Sequence, residues 1–191
     1  MTRTPRAYLT KSSRIGLSLP ISEDDRLIYD LWRDPAVQGN LNFIADAQTF
    51  EEWRIEKGSP YQGHNAAGCW LNCSIILLET QQFIGLVSLG SLTSPPELII
   101  FLCPDRRGKG YGTEAVRLVA EYAFTRLNIE SIGGGAMTFN QASLRMLEKV
   151  GFLRDPEQDY TAEDVWQGGE VTELSFVLTK KRWEGLPLNL L

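Results

Sequence analysis

The sequence predicts an α/β (α+β) chain on a mixed sheet, with hairpins in its first half and strand–helix units in its second. Three observations predict it. Residues 70–90, WLNCSIILLETQQFIGLVSLG, are two apolar runs joined by the polar turn ETQQ. A third apolar run, ELIIFLC at 97–103, is stopped by Pro104. After it, Ala115, Val116, Val119, Tyr122, Ala123 and Leu127 keep the spacing of a one-sided helical stripe.

The remaining elements fall into place around these. RIGLSLP at 14–20 alternates apolar with small or polar residues, as an opening strand does. Ser22, with Asp25 three residues on, reads as the N-cap of a helix through EDDRLIYDLW that ends near Asp34-Pro35. Thr49 and Glu52 repeat that pattern before FEEWRIEKG, which Gly58 closes. IESIGGGAMTF at 129–139 is a glycine-weakened strand, and ASLRMLEKV at 142–150 is a short helix ended by Gly151. EVTELSFVLTKKRW at 170–183 alternates as a closing strand.

Composition narrows the function classes. A chain of 191 residues with 43% hydrophobic and 23% charged residues is one globular domain over 1–191, with 1–7 and 184–191 expected as flexible or peripheral tails. The longest apolar run, 98–103, is far below the ~18–20 residues of a membrane span. The polar, basic start has no apolar core, so the expected location is cytoplasmic, without membrane association. Three cysteines give no disulfide framework. Cys69, Cys73 and the single His64 lack zinc spacing, so no metal is expected; buried thiols and a solvated loop histidine are. A formal charge of −5 argues against nucleic-acid binding and leans toward cationic partners.

The chemistry concentrates in RRGKGYGTEA, residues 106–115. It follows a strand and enters a helix, where unpaired N–H groups and the positive end of the helix dipole meet. Glycines at 108, 110 and 112 clear space for a bulky anion, and Arg106, Arg107 and Lys109 add positive charge. The stretch reads as a phosphate cradle, the alternative being a flexible basic loop with glycines for its turns. The spacing is neither that of a P-loop nor that of a dinucleotide fingerprint.

RGKGYGTEA resembles the pyrophosphate-binding motif of the GNAT superfamily of acyl-CoA-dependent N-acetyltransferases, Gln/Arg-x-x-Gly-x-Gly/Ala, filled here by Arg107, Gly110 and Gly112. NQASLRMLEKVGF at 140–152 is similar to a second motif of that family, in the branch that acetylates ribosomal-protein N-termini. The likeness runs from about residue 8 to about residue 182. It implies a mostly antiparallel sheet of six to seven strands, splayed between the strands at 97–103 and 129–139, and flanked by about four helices. It implies acetyl-CoA as acyl donor and a primary amine as acceptor, on a small molecule or a peptide N-terminus, in a monomer or homodimer. The donor would be held by the loop Arg107, Gly108, Lys109, Gly110, Tyr111, Gly112 and Thr113, and by Asn140 and Ser143. A backbone N–H near Leu102 or Cys103 would face the oxyanion. Where many members carry a tyrosine proton donor this chain has Leu147, so the resemblance passes that role to Ser143.

Alternatives stand beside these roles. Asn140 is a pantetheine ligand or a helix cap; Ser143 is a proton donor or a small packing residue. Glu97 is the base that takes the amine proton or a solvated strand-end carboxylate. Glu114 is read as a first-turn carboxylate that favours the dipole. The triplet Gly133–Gly135 admits a ligand or marks a bulge. Trp32, Trp53, Trp70 and Trp166 wall the acceptor site or fill the core, and the acidic loop at 154–164 suits a cationic acceptor or merely solvates the surface. The alternative to an enzyme is a non-catalytic acyl-CoA-binding sensor or scaffold.

Overall fold

The computed structural model describes residues 5–62, 71–90 and 95–187. It opens with a hairpin rather than the single strand expected at 14–20: β1 (Tyr8–Lys11) pairs antiparallel with β2 (Ile15–Ser18). His64, Cys69 and Trp70 lie outside the described residues. A 3-10 turn at Ser22–Asp24 then leads into α1 (Asp25–Trp32). Ser22 caps nothing here; Asp24 accepts from the Ile21 N–H at 3.2 Å instead.

The expected stop at Asp34-Pro35 starts another helix, α2 (Pro35–Leu41). Asp34 accepts from the N–H groups of Ala36 and Val37, and Pro35 sits at the first helical position, where its missing N–H costs nothing. The Thr49–Glu52 capping box opens α3 (Phe50–Lys57) as expected, and Gly58 closes it at φ 83°.

The two runs at 70–90 form the antiparallel hairpin β3 (Leu71–Leu77) and β4 (Gln82–Gly90). Next come β5 (Glu97–Leu102), α4 (Tyr111–Arg126), β6 (Ser131–Met137) and α5 (Gln141–Val150), the last ended by Gly151 at φ 110°. The acidic loop contributes two strands that the sequence did not announce, β7 (Leu153–Arg154) and β8 (Tyr160–Glu163). Strand β9 (Glu170–Thr179) stops earlier than expected, because the Thr179 hydroxyl caps a final turn of helix, α6 (Lys180–Glu184). Among the described residues the sheet thus has nine strands and the chain six α-helices, against six to seven and about four expected.

The sheet runs β1-β2-β3-β4-β5-β6-β9-β7, with β8 also on β9, and every pairing is antiparallel except β5–β6. Helices cover both faces. On one, Val116 and Phe124 of α4 and Leu144 and Leu147 of α5 pack against Ile75, Ile132 and Phe176. On the other, Ile28 and Leu31, Val37 and Trp53 from α1, α2 and α3 pack against Leu86 and Phe101. Residues alternate across β5 accordingly: Ile99 and Phe101 join the second cluster, while Leu98, Ile100 and Leu102 join the first.

Arg6 and Leu186, which lie within the segments expected as tails, both make contacts with the body of the protein. Arg6 is ion-paired with Asp24, which is 1% exposed and also accepts from Ser74 Oγ at 2.7 Å. Leu186 packs on the α4–α5 core beside Gly151. No helix among the described residues is long and apolar enough to cross a membrane.

Candidate active site

Strands β5 and β6 pair over only two positions, Glu97 with Gly133 and Leu98 with Gly134. From there they part: β5 stays with β4 to Leu102, and β6 stays with β9 to Met137. The split exposes the β5 edge. Cys103 N–H donates to Ile84 O at 2.9 Å, which places Cys103 and Phe101 in the hydrogen-bonded rows of the β4–β5 ladder. Because such rows alternate, the N–H groups of Ile100 and Leu102 point the other way, into the split. Of the two amides expected to face an oxyanion, Cys103 is therefore committed to the sheet and Leu102 is left.

A cavity of about 350 Å³ opens at this C-terminal end of β5. Leu102, Arg107, Gly108, Gly110, Gly112, Thr113, Asn140 and Ser143 all line it, so residues some forty positions apart in sequence meet there. Helix α2 supplies an unforeseen wall from Val37, Asn40 and Leu41. Gly108 and Gly110 adopt φ 72° and 84°, the left-handed region that side chains other than glycine's enter at a cost. Gly110 is the N-cap of α4 and no side chain caps that helix, so its first-turn N–H groups face the loop. Gly112 serves differently: a Cβ there would stand 3.4 Å from Met146 Sδ and 3.6 Å from Leu102 Cδ1, narrowing the cavity.

Two expected loop residues and the expected base do not line this cavity, and each has another place. Lys109 Nζ turns back to Asp105 O at 2.9 Å, Tyr111 lies under the Arg14 guanidinium at 4.8 Å, and Glu97 belongs to a different cavity. Arg107 donates from Nε to Leu102 O at 3.0 Å and approaches Asp34 at 3.7 Å, tying the loop to the end of β5. Arg14 clasps the same loop from β2's side: Nη1 donates to Lys109 O at 3.2 Å and Nε to Glu114 Oε2 at 2.8 Å. Glu114 also accepts from Ser12 Oγ, which agrees with a structural role.

Asn140 caps α5, with Oδ1 accepting from the Ser143 N–H at 3.2 Å, and that cap uses its oxygen only. Both residues still face the cavity. Leu147 is buried in the core and touches the Gly134 position at 3.2 Å, so no phenol could stand there without repacking.

A second cavity, about 900 Å³, borders the N-terminal half of β5. Glu97, Ile99, Gly133, Gly135, Asp155, Tyr160 and Glu173 are among its walls. It holds three carboxylates, and no Lys or Arg side chain among the described residues lines it. Gly135 has a packing reason to be glycine: a Cβ there would fall 2.1 Å from Glu173 Oε1. Burial and the charge of Glu97 push the Glu173 carboxyl above its ordinary pKa. Sequence reasoning missed Glu173; the signal was its place on the Val171–Ser175–Val177 face of the closing strand. Of the tryptophans, Trp53 is core, Trp32 packs beside Phe101, and Trp166 donates to Phe43 O at 3.1 Å; none of the three lines this cavity.

The two described thiols sit in surroundings that disfavour the thiolate. Burial pushes Cys73 up to about 12 and raises Cys103 as well. Among the described residues no group of His, Cys, Asp or Glu converges as a metal would require.

Residues 14–153 match the family model of the acetyltransferase (GNAT) domain. Over 142 residues, 71% of this chain and 70% of the relative, the sequence is 41% identical to the probable N-acetyltransferase YjcK of Bacillus subtilis (strain 168). It is 28% identical over 113 residues to the putative ribosomal N-acetyltransferase YdaF of the same organism, covering 57% of this chain and 60% of that one. Among solved structures, the spermidine N-acetyltransferase of Vibrio cholerae in complex with CoA and spermine is similar in fold, with a TM-score of 0.76 at 18% identity over 91% of this chain and 99% of that one.

Proposed function

The chain belongs to the acetyltransferase (GNAT) family and is an N-acetyltransferase that moves an acetyl group from acetyl-CoA onto an amine; from that premise we propose that its two cavities divide the substrates between them. The glycine cavity takes the donor. First-turn N–H groups of α4, with Gly108, Gly110 and Gly112 clearing their approach, bind the pyrophosphate, and Asn140 Nδ2 holds the pantetheine arm. The acidic cavity takes the acceptor, and its three carboxylates without a lining cation favour an amine that arrives positively charged. The split between β5 and β6 is the observation that carries this reading, since the glycine cavity borders the end of β5 that it exposes and the acidic cavity the end where the strands are joined.

The residues then divide the chemistry. Glu97 takes a proton from the substrate ammonium, freeing the lone pair that attacks the thioester carbonyl. The Ile100 N–H, which points into the split nearer to Glu97 than that of Leu102 and lines the donor cavity, faces the oxygen on which negative charge develops. Ser143 passes a proton to the departing sulfur, the task that Leu147 cannot perform. Orientation of two substrates across one split supplies much of the remaining rate, up to ~7–11 kcal/mol in favourable intramolecular cases.

Two acceptor classes fit, each with its own support. A polyamine suits the carboxylate-lined cavity, and a solved structural neighbour binds spermine. A protein N-terminus suits the Asn140–Ser143 motif, which resembles the ribosomal branch; the YdaF similarity points the same way. A panel of spermidine, spermine, aminoglycosides and alanyl peptides with acetyl-CoA, read by thiol release, tests both. No release with any amine would overturn the assignment of the cavities. With the best amine, Ser143→Ala is expected to lower kcat on the order of a hundredfold while changing acetyl-CoA affinity little by calorimetry. An unchanged kcat removes Ser143 from the chemistry.

A further inference from the structure

Glu97 does not stand alone in the acceptor cavity. Glu173 comes from β9, on the far side of β6, and lays its carboxylate over Gly135; Glu97 comes from β5 and lies 3.8 Å from where a Gly133 Cβ would be. Gly133 and Gly135 are two residues apart on β6, so they share a face, and the two carboxyl groups approach that face from opposite strands. The missing Cβ atoms of the glycine strand are what let both reach it. A lone alanine at 135 would occupy the place of Glu173 Oε1.

The other charges do not neutralise this pair. Asp155 and Tyr160, from the segment beyond α5, line the same cavity and bring no positive charge. Arg154, adjacent to Asp155, is occupied by Asp159 at 2.7 Å and by the Phe176 ring at 5.1 Å. A cation that arrives as substrate is therefore what would balance the site.

We propose that Glu173 is a second catalytic carboxylate, which with Glu97 seats the substrate ammonium and shares the single proton that the amine sheds before attack. The inference rests on the acidic cavity being the acceptor site. The step balances simply. One ammonium proton passes to the carboxylate pair, and the nitrogen lone pair forms the N–C bond at the thioester carbonyl. The C–S bond then breaks, the nitrogen gives up a second proton, and the sulfur receives one through Ser143. The pair returns its proton to solvent.

Burial first, and then the charge of Glu97, raise the Glu173 carboxyl above its ordinary pKa. Its ionised form is the one that accepts the proton, so activity is present above that raised value and lost as pH falls through it. Replacing Glu173 removes the raised group and moves the acid limb to lower pH.

The test is the pH profile of kcat/KM for Glu173→Gln, Glu97→Gln and the unaltered enzyme, using spermidine or an alanyl peptide, whichever is turned over faster. Glu173→Gln is expected to lower the plateau on the order of tenfold or more and to shift the acid limb to lower pH, with acetyl-CoA affinity unchanged by calorimetry. Gly135→Ala, which displaces the carboxylate without removing its charge, is expected to lower the plateau in the same direction. A Glu173→Gln profile that superimposes on the original in height and midpoint overturns the pair; if Glu97→Gln is then still impaired, Glu97 remains the base. If both variants match the original enzyme, the acceptor lies elsewhere and the assignment of the cavity falls as well.

Discussion

Replacing Asp24 with alanine is expected to cost about 3–5 kcal/mol of folding stability. Its carboxylate is 1% exposed and receives Arg6 Nη1 at 2.8 Å, Ser74 Oγ at 2.7 Å and the Ile21 N–H at 3.2 Å. Arg6 is nearly as well hidden, with a side chain 10% exposed, and it also donates to Ser18 Oγ at 3.2 Å. Alanine would leave the Arg6 guanidinium buried without its carboxylate and the Ser74 hydroxyl without this acceptor, and the uncompensated charge dominates the loss. Urea denaturation at neutral pH measures it, and a change below about 1 kcal/mol would mean that the pair is replaced by water. Breaking the exposed Arg26–Asp30 pair on α1 is the control: both side chains are more than half exposed, so the solvated ions lose little.

Gly110→Val is expected to have the largest effect on donor binding. At φ 84° a β-branched residue is strained, which alone costs on the order of 1–3 kcal/mol of stability. Its Cβ would also stand 3.4 Å from Arg14 Nη2, so the larger side chain would press on the guanidinium that clasps the loop at the rim of the cavity. Affinity for acetyl-CoA should fall at least tenfold, about 1.4 kcal/mol, and more if the loop shifts. Gly112→Val separates the two causes. That residue lies within α4 at an ordinary helical conformation, so valine there narrows the cavity without left-handed strain. If calorimetry shows both variants binding acetyl-CoA as tightly as the original, the diphosphate is not held at this helix start.

Local chemistry made some parts of the molecule legible from sequence. The Thr49–Glu52 capping box, the β3–β4 hairpin and the glycine stop at 151 are decided within a few residues, and each stands where periodicity and capping placed it. Two helices and three strands escaped. Asp34-Pro35 reads equally as the end of one helix and the start of the next, and only the side-chain acceptance by Asp34 separates the readings. Strands β7 and β8 are short, exposed and polar, and exist because β9 offers them a partner. The glycine cavity was legible because glycine spacing at a strand–helix junction has few other uses. The acidic cavity, which we propose takes the acceptor, was not: Glu97, Asp155 and Glu173 are brought together by sheet order, which no short window records.

The two-rung seam between β5 and β6 also has a dynamic consequence. Main-chain amides at Ile100 and Leu102 have no neighbouring strand to shield them, so in the free protein they should exchange with deuterated solvent far faster than the β3–β4 amides beside them. A bound thioester arm would act as a surrogate rung for that seam. Coenzyme should then slow exchange at those two positions selectively and couple the halves of the sheet mechanically.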